Sequence, residues 1–332
     1  MKEFPIKRYF KDFSLLLVYY PYRWLIQVLP FRISYQIATL LGSMHYLFAP
    51  SKQKRKIIDN LDMVLGDKLN FREKKAVVRG IYIHKQKAYT DLFIMGREDY
   101  KKYFDACSNE GISYLDQALS EGKGIVGVNF HFSSANLIAT YLSYKGYKMS
   151  PILVLTGTKG ASPRISQKIL DLRSSIWKER GNFQIITSSK SLVSAVINQY
   201  RSLAENRVIS AAGDGPLGKK FTLVNFFNVK LKAPLGPVLM AAKSGAPIVL
   251  SFVIRREDGT HHFVFKEPIK VQQEDDEEVF KGIVQNYFTQ LEYYVARYPD
   301  SWLYWTRMEK EGVENGVPVI QLLLATGRTH IE

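Results

Sequence analysis

The sequence predicts an α/β protein with a mixed, largely parallel sheet flanked by helices, and three observations carry that expectation. Short apolar runs at 124–128, 148–155, 183–186 and 207–212, bounded by glycines and polar turns, have the length of buried strands. Stretches with helical spacing, 163–180 and 189–205, alternate with them, which implies parallel pairing with helices covering the sheet faces. Two further runs, 247–255 and 261–266, flank Asp258-Gly259 and read as a hairpin, so the sheet also has an antiparallel pair.

The 332 residues, 46% of them hydrophobic, suffice for one large domain or two ordinary ones with a real core. Three segments are expected: a membrane-associating 1–56, an α/β domain over 57–312, and a tail, 313–332. Residues 13–30 are apolar and aromatic but are broken by Pro21, Arg23 and Pro30, short of the roughly 20 consecutive apolar residues of a spanning helix. A second apolar stretch, 33–48, runs into Pro50 and then Lys52, Lys54, Arg55 and Lys56. Tyrosine, tryptophan and cations side by side are favoured at lipid headgroups. Lys2, Lys7, Arg8 and Lys11 precede the apolar region and no small-residue cleavage site follows it, so the expected seat is the cytoplasmic face of a membrane. Two ordinary core helices are the alternative.

From 57 to 97 the spacing is helical, with Ile57, Leu61, Val64 and Leu65 on one face and a second helix from Arg72. Residues 101–121 lead to a turn, Glu121-Gly122-Lys123-Gly124, that launches the central strand. Cys107 is the only cysteine, which excludes an internal disulfide and a cysteine metal cluster. Lys and Arg total 46 against 31 Asp and Glu, and a net charge of +15 calls for an anionic partner: membrane, acidic protein or nucleic acid.

After the central strand, Ser133-Ser134 ahead of Leu137, Ile138 and Tyr141 reads as a helix start, which puts His131 in the turn. In an open α/β sheet ligands bind outside the carboxyl ends of strands. An imidazole there can take a proton from a hydroxyl, because it titrates near neutrality; the other reading is a loop hydrogen bond.

In the helix 163–180, Ile165, Ile169, Leu172 and Ile176 form the buried stripe, and Arg173, Trp177 and Arg180 share a flank beside it. Two arginines so placed suit a phosphate or carboxylate, or they form a solvated flank. The strand 207–212 runs into 213–220, where Lys219 resembles a phosphate-loop lysine. Lys220 then stands where a Ser or Thr is required and 221–227 starts no helix, so nucleotide binding is not expected. Asp214, by contrast, is a carboxylate at a strand end, as His131 is an imidazole at one. A helix over 235–244 follows. His261 and His262 point to opposite faces of their strand, which argues against a shared metal. Residues 277–298 form a long amphipathic helix stopped by Pro299.

The stretch 124–138 resembles the strand, histidine and helix of the bacterial lipid A biosynthesis acyltransferases, the lauroyl/myristoyl-transferring branch of the lysophospholipid acyltransferase superfamily. Further blocks occur in the family's order. Arg173 matches an arginine of its second helix, and Gly213-Asp214 falls where it has Asp-Gln. Phe226-Phe227, Gly236 and Lys243-Ser244-Gly245-Ala246 match its next block, and 298–307 its closing one. The similarity spans about 55–310. It implies a lysophospholipid acyltransferase-like fold and transfer of a fatty acyl chain from acyl carrier protein or acyl-CoA to a hydroxyl of a membrane glycolipid such as a lipid A precursor. The place implied is the cytoplasmic face of the bacterial inner membrane, with the thioester as co-substrate and no metal or other cofactor. On that basis His131 is the expected general base. Arg173, with Arg180 and Lys219, is expected to hold phosphate, and the positive charge to draw the acidic carrier protein and the anionic membrane. Nucleic acid is not an expected partner, given the apolar, aromatic N-terminus.

One departure stands out. Five positions after its histidine the family has a carboxylate that orients the ring and stabilises its charged form; this chain has Asn136. Asparagine can accept a hydrogen bond from the ring but cannot stabilise its charge. Asn136 also lies three residues after Ser133, the spacing of a capping box. Three readings follow: an acyltransferase whose carboxylate comes from elsewhere, Asp214 first and Glu179 second; an enzyme with another acceptor, such as an amine; or a catalytically silent relative that binds lipid or carrier protein.

Overall fold

The computed structural model describes residues 5–155, 157–158, 160–273 and 275–324; Lys2 and the end of the tail, 325–332, lie outside the described residues. Its strands are β1 (Ser108–Glu110), β2 (Ile125–Asn129), β3 (Met149–Val154), β4 (Gln184–Ile186), β5 (Val208–Ala212), β6 (Phe221–Phe226), β7 (Val229–Pro234), β8 (Ile248–Arg255), β9 (His261–Phe265), β10 (Met308–Glu314) and β11 (Val317–Leu322). Among the described residues, seven of them form one sheet in the order β1-β9-β8-β2-β5-β3-β4. β8, β2, β5, β3 and β4 run parallel, β9 returns antiparallel to β8, and β1 pairs parallel with β9. This is the mixed, largely parallel sheet that the alternation of elements predicts, and the β8–β9 hairpin turns at Asp258-Gly259 as expected.

Successive side chains of β2 go to opposite faces, as strand geometry requires. Val126 and Val128 enter one apolar core with Phe252, Phe288 and Trp302, while Ile125 enters the other with Leu137, Tyr141 and Ile176. Burial on both faces is why these strands read as short continuous apolar runs. The helix Pro163–Gly181 buries Ile169 and Ile176, half-buries Ile165 and Leu172, and is closed by Asn182 in the left-handed conformation.

A second sheet, order β10-β11-β7-β6, has no counterpart among the sequence-based expectations. β6 and β7 form an antiparallel pair, so 221–227 is indeed no helix start. β10 and β11 form a hairpin across the expected 312/313 boundary, with Asn315 at φ 51 and Gly316 at φ 79 in its turn. Positive φ at both central residues is the type I′ geometry, and Asn-Gly is its commonest sequence. β11 then adds parallel to β7 through Val319 and Ile320.

The N-terminal segment folds as helices Pro5–Leu17, Arg23–Val28 and Phe31–Phe48, with a π-helical turn at Val18–Tyr22 around Pro21. Tyr19, Tyr22 and Ile26 pack into the core beside Phe93, whereas Phe10, Phe13, Trp24 and Val28 remain exposed. The segment is therefore two-faced. Among the described residues no helix is long and apolar enough to cross a membrane. The helix Ser51–Leu65 buries Ile57, Leu61, Val64 and Leu65, the face the spacing predicts. Asn70 and Glu73 form a capping box at the start of the next helix, Phe71–Met95. Phe31–Phe48 crosses that helix so closely that a Cβ on Gly42 would stand 2.5 Å from the Ile83 Cα.

A buried ion pair joins these layers. Arg255, at the end of β8, forks onto Asp91 with Nη1–Oδ1 at 3.0 Å and Nη2–Oδ2 at 2.5 Å. The carboxylate also accepts from the Tyr35 hydroxyl at 2.6 Å and from the Ser134 hydroxyl at 2.5 Å. Burial pushes the Asp91 carboxyl up, but the Arg255 charge and the hydrogen bonds outweigh it and hold it below the usual carboxylate range. Asp91→Ala, which leaves the Arg255 charge buried and unpaired, is expected to cost about 3–5 kcal/mol in urea unfolding; a loss under about 1 kcal/mol would show that the pair does not hold the layers together.

Candidate active site

The site is built by the register of two neighbouring strands. Asn129 of β2 pairs with Ala212 of β5, and two residues beyond each partner stand His131 and Asp214. Both side chains thus emerge together at the carboxyl edge of the sheet, where ligands bind in open α/β folds. The chains remain tied past the strands, since the Gly213 N–H donates to the Asn129 carbonyl at 2.7 Å. A Cβ on Gly213 would approach Phe130 and Val128 to under 3 Å, so glycine is what lets the Asp214 loop close down on β2.

Asp214 is 1% exposed and accepts from several N–H groups. The His131 main-chain N–H is shared between its two oxygens at 3.1 and 3.0 Å, the His131 Nδ1 lies 2.8 Å from Oδ1, and the indole Nε1 of Trp302 donates to Oδ2 at 3.0 Å. A carboxylate oxygen accepts here, so Nδ1 is the donor, and in that tautomer Nε2 is the ring's acceptor nitrogen. Trp302 comes from the segment after the helix Glu277–Arg297. That segment is bridged to Phe132, and it is held by Leu303 N–H to the His131 carbonyl at 2.9 Å and Ser133 N–H to the Ser301 carbonyl at 2.7 Å. Tyr304 packs edge-on against the His131 ring, centroids 4.9 Å apart.

His131 lines a cavity of about 480 Å³. Asn136, Tyr304 and Arg307 add polar groups to its wall, and Ile152, Val154, Leu192, Val196, Leu239 and Met240 make much of the rest apolar. Volume and lining are those of a small-molecule site: a mostly apolar hollow with a few converging polar groups.

The expected residues divide. His131 and Asp214 are brought together. Asn136 lines the same cavity, but among the described residues no hydrogen bond joins its side chain to the imidazole. The expected capping box does not form either. Ser133 has φ 51 and a buried hydroxyl without a partner among the described residues, and the helix starts three residues later, at Asn136, as Asn136–Tyr144. Hydrogen bonds to Ser301 and from Ser134 to Asp91 fix the turn instead, overriding the local preference.

Arg173 is half-buried on its helix and does not line the cavity. Arg180 is engaged elsewhere, its guanidinium donating to the carbonyls of Met95 and Arg97 at 2.9 and 3.4 Å and covering the Tyr100 ring. Lys219 is exposed on the loop after Asp214, two residues past the cavity-lining Leu217, and Glu179 is exposed on its helix. His261 and His262 bond separately, to Tyr103 and to Ser108, and no metal-binding group of three occurs among the described residues. Trp302, Tyr304 and Arg307 have no role among the sequence-based expectations. The signal available is a run of aromatics and a cation directly after a helix stop.

A histidine whose one ring nitrogen is held by a buried carboxylate, on the wall of a mostly apolar cavity, has the chemistry to exchange a proton with a group bound there. The profile of the family "bacterial lipid A biosynthesis acyltransferase" matches residues 2–310, and the chain belongs to that family. It is an acyltransferase of lipid-like substrates. No curated protein matches the chain. Among solved structures, the crystal structure of the 1-acyl-sn-glycerophosphate (LPA) acyltransferase PlsC from Thermotoga maritima aligns at 14% identity and a TM-score of 0.35, covering 78% of this chain and 97% of that one.

Trp302→Phe keeps an aromatic ring but removes the donor to Asp214. The expected cost is about 1.5–3 kcal/mol in chemical unfolding, the range for a hydrogen bond to a charged group; no measurable loss would show that Trp302 does not help hold the carboxylate.

Proposed function

We propose that the chain transfers a fatty acyl group from an acyl thioester to a hydroxyl of a membrane glycolipid such as a lipid A precursor, with His131 as general base. The observation that carries this reading is the 2.8 Å contact of His131 Nδ1 with Asp214, on an imidazole that lines the cavity. Nε2 takes the proton of the acceptor hydroxyl as its oxygen attacks the thioester carbonyl. The tetrahedral adduct then collapses, the C–S bond breaks, and the departing sulfur takes the proton from Nε2. Ester and free thiol are the products, and no covalent enzyme intermediate is needed. Asp214 holds the ring in the tautomer this requires and stabilises the imidazolium that forms, as the aspartate does in serine-protease triads. That role supports an active enzyme over a silent relative, since the carboxylate missing at 136 is supplied at 214.

The donor is acyl carrier protein or acyl-CoA, bound as co-substrate; the net charge of +15 favours an acidic carrier and an anionic bilayer. The membrane is met through the exposed face of the N-terminal helices, where Phe10, Phe13, Trp24 and Val28 accompany a cluster of cations, at the cytoplasmic side of the inner membrane.

Mass spectrometry of membrane lipids from cells expressing the wild type, His131→Ala, Asp214→Asn or no protein tests the chemistry. A lipid that gains one acyl chain only with the wild type is expected. In vitro, His131→Ala should lower turnover by about 10²–10⁴, and Asp214→Asn by up to about 10⁴. Full activity in His131→Ala would refute the mechanism. For the membrane contact, the Phe13→Ser, Trp24→Ser double variant should partition onto phosphatidylglycerol liposomes roughly tenfold or more weakly; unchanged sedimentation with liposomes would move the contact elsewhere.

A further inference from the structure

Two buried hydrogen-bond donors on the wall of the His131 cavity have no acceptor among the described residues. Tyr304 is 1% exposed, lines the cavity, and packs edge-on against the imidazole with ring centroids 4.9 Å apart. Its hydroxyl makes no hydrogen bond among the described residues, whereas a buried tyrosine hydroxyl ordinarily finds a partner. Gly215, directly after Asp214, is buried and lines the same cavity. Its main-chain N–H likewise donates to no group among the described residues. Buried donors without an acceptor are rare in folded proteins, so each calls for an explanation.

Both donors are positioned by the contacts that orient the imidazole. The Arg307 N–H ties the Tyr304 carbonyl at 2.8 Å, and one residue earlier the Leu303 N–H reaches the His131 carbonyl at 2.9 Å. Gly215 follows the carboxylate whose oxygen lies 2.8 Å from His131 Nδ1. Burial raises the Tyr304 hydroxyl well above the usual tyrosine range, and the Asp214 charge adds to the rise, so at neutral pH the group is a donor and not a phenolate. Fixed donors in a site shielded from water stabilise a negative charge that forms beside them far better than mobile water does, because they need no reorganisation when it appears.

We propose that the Tyr304 hydroxyl, together with the Gly215 N–H, stabilises the oxyanion formed during acyl transfer, which makes Tyr304 a catalytic residue. The proposal rests on the acyl-transfer reading above. As the acceptor oxygen attacks the thioester carbon, the π pair of the carbonyl moves onto its oxygen, which becomes an alkoxide. Tyr304 and Gly215 hydrogen-bond to that alkoxide and keep their protons. When the pair returns to form the ester carbonyl, the C–S bond breaks and the sulfur takes the proton from His131, so no proton is gained or lost at either donor. A hydrogen bond that strengthens as the charge appears lowers the barrier and leaves substrate binding nearly unchanged.

Tyr304→Phe keeps the ring on His131 and removes only the donor. Since that hydroxyl has no partner in the fold, the urea midpoint should not fall; a lower midpoint would assign the hydroxyl to the fold and overturn the proposal. With a lipid that the wild type acylates, Tyr304→Phe should lower kcat by about 10²–10³, the loss for one oxyanion donor, and leave KM nearly unchanged. The Gly215 N–H accounts for the activity that remains. An unchanged kcat, or a raised KM at unchanged kcat, also overturns it. A matched pair of ligands puts the same question without turnover. Calorimetric titration of the full chain in detergent compares 1,1,1-trifluorotetradecan-2-one, whose hydrate is tetrahedral and ionisable, with tetradecan-2-one. The wild type should prefer the fluorinated ketone by about tenfold or more, and Tyr304→Phe should lose most of that preference. Such a loss supports the proposal even where lipid analysis finds no acyl transfer, so the donor and the reaction fail separately. No preference in the wild type, or the same preference in both proteins, overturns the proposal.

Discussion

The carboxylate of Asp214 is the point on which the site depends. It is buried, and a buried carboxylate is tolerated only when its oxygens are saturated with donors. Here the donors come from two places far from Asp214 and from each other in sequence: the main chain and ring of His131 after β2, and the indole of Trp302 after the last long helix. Satisfying one charge therefore fixes the edge of the sheet, the rotamer of the imidazole and the position of the closing segment. That segment then places Tyr304 and Arg307 in the cavity wall. Orientation of the imidazole is a by-product of solving a burial problem.

The Asp91–Arg255 pair has an equivalent role in the adjoining layer. It reaches Ser134, in the turn that carries His131, and Tyr35, in the helix that follows the aromatic N-terminal stretch. The turn is thus held from both sides, by Ser301 and Leu303 on one and by Asp91 on the other. Held in this way, Ser133 keeps a positive φ that a serine does not choose by itself. The N-terminal helices belong to the fold through Tyr19, Tyr22, Ile26 and Tyr35, while their other face stays apolar and open.

How much of this is legible in the sequence follows from which interactions are local. Strand lengths, helix stripes and the Asp258-Gly259 turn depend on neighbours within a few residues, and the sheet they build is readable. His131 is readable too, because a histidine between a buried strand and a helix is a local pattern. The Asn315-Gly316 turn is equally local, yet it stands outside the elements expected from the sequence.

The partner of His131 is a different matter. By the resemblance Asn136 falls where the family has a carboxylate, yet the carboxylate bonded to His131 is Asp214, because strand register, which no local pattern encodes, sets Asn129 against Ala212. The same holds for the arginines. Helical spacing puts Arg173 and Arg180 on one flank, but whether a flank faces a cavity, a tyrosine or a row of carbonyls is decided by packing. The sequence by itself determined the α/β class, the basic, aromatic N-terminus and the place of His131 in the turn after the central strand. Only the tertiary structure decided which carboxylate holds that imidazole and which side chains share its cavity, since those contacts join residues tens to hundreds of positions apart, through burial and register.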